Sequence, residues 1–192
     1  RQRDPRDRPG GPPGVLRLSD AWSVNDSSDG PEVHLADYEE SDLELTLACE
    51  GDPVAMRHLG GPRAEEDIRG AHRKRMWAEA DGGAWRTVVA EPGAERVGTI
   101  GFWRSEHAGP VWEAGWMLLP AHHGRGIGSR ALALLIELAR EHNDVGELHA
   151  FPGQANEASN ALCRRAGFEL IGTDEGEFAG KPITSNHWRL TL

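Results

Sequence analysis

The sequence predicts a mixed α/β domain in which an antiparallel meander of strands runs into a parallel crossover. Three observations carry that prediction. Short runs of alternating apolar and polar residues recur, two of them joined by Pro92-Gly93. Across residues 111–151 a strand-like run, a glycine-rich loop, an amphipathic helical run and a second strand-like run follow in order, which requires the two strands to lie parallel. The chain has 192 residues, 38% hydrophobic and 27% charged, enough to bury a real core in one domain.

Residues 1–31 are rich in Arg, Asp, Pro and Gly, with five Arg against five Asp. They predict a flexible, electrically neutral arm with a short strand near residues 15–18. The absence of an initiator Met implies a processed or truncated start. Residues 32–192 predict one domain. "EVHLADY" alternates and reads as a strand. "SDLE" at residues 41–44 has the form of a capping box, with the Ser41 hydroxyl and the Glu44 carboxylate bonding reciprocally to backbone N–H groups, and predicts a helix to about Glu50. "DPVAMRHLGGP" predicts a short second helix stopped by Gly60 and Gly61. "PRAEEDIRGAHRKRMWAEA" opens with Pro62 and acids and ends in bases, matching the helix dipole. Residues 84–91 and 96–103 form a hairpin, and residues 111–119 supply the third strand of the meander. The helix after the glycines sets Ile127, Ala131, Leu134, Leu135 and Leu138 on one stripe. "ELHAF" is a strand, "NEASNALCRRAGF" a short helix ending at Gly167, and "FELIGTDEGEF" and "NHWRLTL" close the domain as strands.

The formal net charge of −10 lies entirely in residues 32–192. It argues against binding nucleic acid through phosphates and suits a cationic substrate. No apolar run approaches the ~20 residues that span a bilayer, and the N-terminus lacks the apolar core of a secretory signal. No membrane partner and a cytoplasmic location are therefore expected. Two cysteines, Cys49 and Cys163, make no disulfide framework and fit a reducing compartment. The nine histidines show no metal-ligand spacing, so no metal site is expected.

Gly124, Gly126 and Gly128 alternate between a strand and a helix N-terminus. Backbone N–H groups there point outward, the helix dipole favours negative charge, and missing side chains admit a phosphate. The alternative is a tight turn that binds nothing. Ser129-Arg130 break the G-x-G-x-x-G spacing of a dinucleotide fold, and no Gly-Lys-Ser/Thr ends the loop, so NAD and ATP are disfavoured.

"WEAGWMLLPAHHGRGIGSRAL" followed by "NEASNALCRRAGFELIG" closely resembles the GNAT superfamily of acyl-CoA-dependent N-acyltransferases. The first segment is similar to the family's pyrophosphate motif, at residues 123–128. The second is similar to its Asn…Ser…Leu…Gly-Phe motif, at Asn156, Ser159, Leu162, Gly167 and Phe168. The resemblance spans residues 32–192. It implies a GNAT-like α/β fold: a mostly antiparallel mixed sheet with a V-shaped splay between two central parallel strands, and helices on both faces. It also implies acetyl-CoA as co-substrate. Pantetheine would pair with the backbone of Trp116, Met117 and Leu118. The diphosphate would sit on His123, Gly124, Arg125, Gly126, Ile127, Gly128 and Ser129, and Asn156 and Ser159 would flank the cofactor arm. His123 stands where the family carries Arg or Gln, which puts cofactor affinity in question but leaves the backbone donors in place.

Amide formation needs a neutral amine, a donor for the developing oxyanion and a proton for the leaving thiolate. The Leu118 N–H is the expected oxyanion donor. Many relatives place a Tyr seven residues after the Asn, and here that position is Cys163. Its thiol either donates a proton, forms an acyl-enzyme or simply packs in the core. Tyr38, the only tyrosine, lies far from the motif. Glu113 shares a strand face with Gly115 and Met117 and reads either as general base or as a structural carboxylate. His149 and His187 are lesser candidates. Trp103, Trp112 and Trp116 cluster on the meander as core residues, or in part as walls of a pocket that holds a cationic amine with Asp174, Glu175 and Glu177.

The expected function is N-acetyl transfer to a primary amine by direct attack. The acceptor would be a small polyamine-like or aminoglycoside-like molecule or a protein N-terminus, and the chain leaves room for a homodimer. "DPVAMRHLGGP" resembles the branch that contains ribosomal-protein N-terminal acetylases and drug-modifying relatives. The rival is a catalytically weak acyl-CoA sensor or partner-binding module on the same fold.

Overall fold

The computed structural model describes the backbone of Leu16–Arg17 and residues 30–142 and 144–192. The alternating segments become β1 (Leu16–Arg17), β2 (Val33–Asp37), β3 (Ala84–Ala90), β4 (Glu95–Ser105), β5 (Val111–Leu118), β6 (Glu147–Ala150), β7 (Glu169–Phe178) and β8 (Lys181–Thr191). They form an 8-stranded sheet in the order β1-β2-β3-β4-β5-β6-β8-β7. Every neighbouring pair is antiparallel except β5 with β6. The helices are α1 (Leu43–Glu50), α2 (Glu65–Arg75), α3 (Ile127–Arg140) and α4 (Glu157–Arg165). Apart from β1, which matches the strand expected near residues 15–18, the reading of residues 1–31 as an arm lies outside the described residues.

The pleat sorts the sheet into two faces. Val33, Leu35, Val88, Ile100, Phe102 and Ala114 join the α3 stripe Ile127, Ala131, Leu134, Leu135 and Leu138 in one buried cluster. Each such side chain contributes about 1.5–3 kcal/mol on burial. The alternate residues Thr99, Gly101 and Trp103 of β4 and Glu113, Gly115 and Met117 of β5 pair across the strands on the opposite face. There α1 packs on β4 and β5 and α2 packs on α1, with Cys49, Met56 and Ile68 buried.

Four local expectations change. The reciprocal capping box uses Glu39 and Asp42, not Ser41 and Glu44, because the chain first makes a 3₁₀ turn over Glu40–Asp42 and only then becomes α1. Residues 52–60 are a run of turns, not a helix. Asp52 Oδ1 accepts from Val54 and Ala55 N–H at 2.7 and 2.8 Å as an N-cap does. After the single Met56 N–H to Asp52 O bond, however, the chain turns back through left-handed Gly60 and Gly61, and the Gly61 N–H donates to Met56 O. The helix after Pro62 stops at Arg75 and continues as a turn and a 3₁₀ helix, Ala78–Asp81, ended by left-handed Gly82. Finally, β8 begins at Lys181, since Ala179 and Gly180 close a long hairpin with β7.

One feature of this topology positions the site. β5 and β6 share a single register pair, Glu113 with His149. Beyond it, β6 stays with β8: Gly153 bridges Ser185, the Gln154 N–H donates to Thr184 O and the Asn186 N–H to Pro152 O. β5 stays with β4 to Leu118. The strands therefore part, and a V-shaped gap opens between them.

Candidate active site

The gap widens into a cleft of about 900 Å³ lined from both strands. Its wall on one side is the edge of β5. The Leu119 N–H donates to Val97 O at 2.9 Å, towards β4. Successive strand residues direct their backbone groups to opposite edges. The N–H and C=O groups of Trp116 and Leu118 therefore face the gap, whereas those of Met117 belong to its pairing with Thr99. Of the three edge residues expected, two offer backbone bonds to a ligand and Met117 lines the cleft by its side chain. The Leu118 carbonyl lies 3.0 Å from His123 Nε2, so His123 ties the loop to the strand end.

The loop follows at once. Gly124 and Gly126 hold φ of 73° and 76°, a left-handed backbone that other residues adopt at a cost. Gly126 is the N-cap of α3, and the first N–H groups of that helix have no partner within it. His123, Gly124, Arg125, Gly126, Ile127, Gly128 and Ser129 all line the cleft, as do Asn156 and Ser159. The Asn156 side chain caps α4 by accepting from the Ser159 N–H at 3.2 Å, and Trp116 Nε1 donates to Ser159 Oγ at 3.4 Å across the gap. Three guanidinium groups gather at this end. Arg125 is held by His122 at 3.1 Å, while Arg130 and Arg165 complete the lining. The sequence reading passed over Arg130 and Arg165. Arg130 carried a signal, since a cation in the first turn of a helix opposes its dipole unless an anion is expected there. A diphosphate suits these donors and charges, and no side chain at Gly124, Gly126 or Gly128 blocks its approach.

At the other end stand Glu113, Trp85, Trp103, Thr99 and Arg75, with Val54, Ala55, Arg57, His58, Leu59, Phe151 and Phe178 completing the lining. Glu113 is half-buried, and burial pushes its carboxyl above the ordinary range. A hydrogen bond from Ser105 and the charge of His107 pull it partly back. Ser105 Oγ also accepts from the His107 N–H at 3.1 Å, and His107 pairs with Asp174 at 2.7 Å. Gly115 is needed here, because a Cβ would sit 2.8 Å from Trp103 Cη2.

Other candidates lie elsewhere. Cys163 is 0% exposed within the hydrophobic cluster and outside the lining, and burial drives its thiol up to about 12. So placed, the thiol packs with the core and stands away from the cleft. His149 and His187 bond to each other at 2.8 Å, lie outside the lining, and are both held below the ordinary histidine range by burial first. The Tyr38 hydroxyl is spent on Thr46 and His72 at 2.6 and 2.7 Å. Asp174, Glu175 and Glu177 do not line the cleft, so the acidic cage expected around the tryptophans is absent among the described residues. Trp112 is buried and donates to Asp144 O, a core role. No group of three His, Cys, Asp or Glu side chains gathers in metal-binding form among the described residues. No helix among them is long and apolar enough to cross a membrane.

Asn160 was not singled out from the sequence, yet it organises the far wall. Its Nδ2 donates to Gly153 O and Asn156 O, and its Oδ1 accepts from Asn186 Nδ2 and Trp188 Nε1, at 2.8–3.0 Å. A fully satisfied buried amide locks α4, the end of β6 and β8 together. An Asn inside an amphipathic helix, four residues after another Asn, was the available signal.

A family model described as an acetyltransferase (GNAT) domain matches residues 32–169. Several solved structures share the fold at low identity. A GNAT-family acetyltransferase from Bacillus anthracis is 19% identical, with a TM-score of 0.69 over 84% of this chain and 96% of that one. An acetyltransferase from Salmonella typhimurium that modifies the N-terminal serine of ribosomal protein L7/L12 is 17% identical, with a TM-score of 0.69 over 93% and 99%. A microcin C7 self-immunity acetyltransferase, solved with acetyl-CoA and AMP, is 19% identical, with a TM-score of 0.68 over 85% and 93%.

Proposed function

The chain belongs to the GNAT acetyltransferase family, and from that premise we propose that it transfers the acetyl group of acetyl-CoA to a primary amine by direct attack in a ternary complex. The single observation that carries the reading is the parting of β5 from β6, which turns the N–H groups of Trp116 and Leu118 towards a cleft running from the glycine loop to Glu113. The cleft fits the co-substrate. A strand edge suits the two amides of pantetheine, and the loop with Arg125, Arg130 and Arg165 suits its phosphates. When bound, the thioester supplies an activated acetyl group.

The chain's own residues supply the rest. Glu113, its affinity for protons raised by burial, accepts a proton from the incoming ammonium directly or through one water. The freed nitrogen lone pair forms the C–N bond as the C–S bond breaks, and the nitrogen's surplus proton passes through water to the departing thiolate. Negative charge growing on the acetyl oxygen is met by the Leu118 N–H. Holding both reactants in one cleft supplies much of the remaining rate. Residues 32–192 act as one catalytic domain, and its place is the cytoplasm. Candidate acceptors are a small amine and a peptide N-terminus.

Burial of Cys163 favours a second reading, acyl-CoA sensing without turnover, because no side-chain acid stands at that position. Thiol release measured on a panel of amines and peptides separates the two. Turnover that is lost in Glu113→Gln with coenzyme A affinity intact supports transfer. Tight coenzyme A binding with no turnover on any acceptor supports sensing.

A further inference from the structure

The charge of the acceptor end runs against that of the whole protein. The chain is acidic overall, at −10, yet Glu113 is the only acid among the described residues that line the cleft. Arg75 and Arg57 stand with it, together with His58. Behind them, Glu50 is 1% exposed and its one carboxylate is shared by Arg63 and Arg75. Two guanidinium groups on one carboxylate leave a net positive charge in a half-dry wall, and Arg63 Nε is buried there without a hydrogen-bond partner. Such an arrangement is costly alone and is relieved by an anion.

The geometry also holds Arg75 ready. Its guanidinium lies 4.4 Å from the centre of the Trp85 ring, with Glu50 fixing one nitrogen. Tyr38 engages the guanidinium as well; a guanidinium keeps five donors in a planar fork, so these two contacts leave others for a planar oxyanion. Arg57 is aligned by bonds to His58 Nε2 at 2.9 Å and Val54 O at 3.3 Å. Trp85 and Trp103, 5.3 Å apart, floor the space between this cationic wall and Glu113.

Resting on the acyl-transfer reading, we propose that the acceptor is an amine bearing an oxyanion group, carboxylate or phosphate, received by Arg75 and Arg57 while its nitrogen faces Glu113. A polycation such as a polyamine meets like charge at the same place. The class expected from net charge alone is thereby reversed.

The test uses matched pairs: β-alanine with its amide, phosphoethanolamine with ethanolamine, a tripeptide with an acidic second residue with its Asn or Gln counterpart, and spermidine. Each is measured by thiol release and by calorimetric titration into the protein–coenzyme A complex. The anionic member is expected to lead in kcat/KM and in affinity by about tenfold or more, as charge-assisted bonds do. That lead should shrink at high salt and in Arg57→Gln, an exposed position whose loss spares the fold. In Arg75→Gln it should shrink further, with coenzyme A affinity reporting that the cleft persists. Whichever pair responds identifies the source of the oxyanion. Turnover that ignores charge, prefers spermidine or keeps the full lead in both variants overturns the inference and leaves acyl transfer standing. Anion-dependent binding without any turnover does the reverse.

Discussion

Replacing Gly128 by Ala separates folding from cofactor binding, because the two respond with opposite sign. Gly128 is the second residue of α3, with ordinary helical φ. A Cβ built there meets Leu118 Cδ1 at 3.5 Å and Leu162 Cδ2 at 3.6 Å, which is van der Waals contact without overlap. Helix propensity then favours Ala by up to about 1 kcal/mol. For a chain of this size that raises the melting temperature of the ligand-free protein by about 2–4 °C. The same methyl group stands between β5 and α4, in the lining of the cleft, where the diphosphate arm must approach the main chain. Coenzyme A affinity is expected to drop about tenfold or more, close to 1.4 kcal/mol per decade. Thermal unfolding without ligand and titration calorimetry with coenzyme A read the two effects. A variant that is more stable and binds coenzyme A as tightly as its parent would refute the phosphate cradle. Gly126→Ala gives the contrasting case: its φ of 76° makes Ala strained and its Cβ falls 2.6 Å from Arg130 Nη1, so stability and affinity should fall together.

Glu113→Gln should lower kcat by about 10²–10⁴-fold, the range for loss of a general base, with coenzyme A affinity unchanged. An unchanged kcat would leave Glu113 as a structural carboxylate. Because burial raises its pKa, kcat/KM should fall as the pH drops through a midpoint above the ordinary carboxylate range, the proton-bearing form being inactive. His107→Gln removes a positive neighbour that lowers that pKa, so the midpoint should move to higher pH; no movement would uncouple the two groups. Cys163→Ser buries a hydroxyl in an apolar site and should cost about 1–3 kcal/mol in denaturant unfolding while turnover per folded molecule persists. Lost turnover at full stability would restore the thiol to the chemistry. Asn160→Leu strands the Asn186 Nδ2 and Trp188 Nε1 donors, whereas Gly153 O and Asn156 O keep backbone partners, and roughly 2 kcal/mol or more of stability should disappear.

What could be read from the sequence was whatever a local pattern encodes. The α3 stripe, the meander and the glycines at left-handed angles are periodicity and backbone chemistry, and they stand as expected. So does the crossover that makes β5 and β6 parallel. Residues 52–60 went astray because a short turn capped by Asp52 and a short helix share the same composition. The residues brought together from distant segments stayed hidden. Nothing near Glu50 announces that Arg63 and Arg75 will converge on it, and nothing near Asp174 announces that it will be taken by His107 instead of facing a substrate. The charged lining around Glu113 depends on such long-range pairings, which the net charge of the chain does not report.

The lone Glu113–His149 pairing leaves a seam down the sheet. On one side lies a leaf of β1 to β5, on the other a leaf of β6, β8 and β7 carrying α4, and the ladder stitches them at one point. A pantetheine arm laid along β5 would act as a borrowed strand and sew the leaves shut. The liganded molecule would then resist local opening of the smaller leaf, with a gain near 2.7 kcal/mol when coenzyme stands at about a hundred times its dissociation constant. Amide protons of β6 to β8 should thus exchange faster than those of β3 and β4 until coenzyme is added, so that this protein's endurance would track the supply of its ligand.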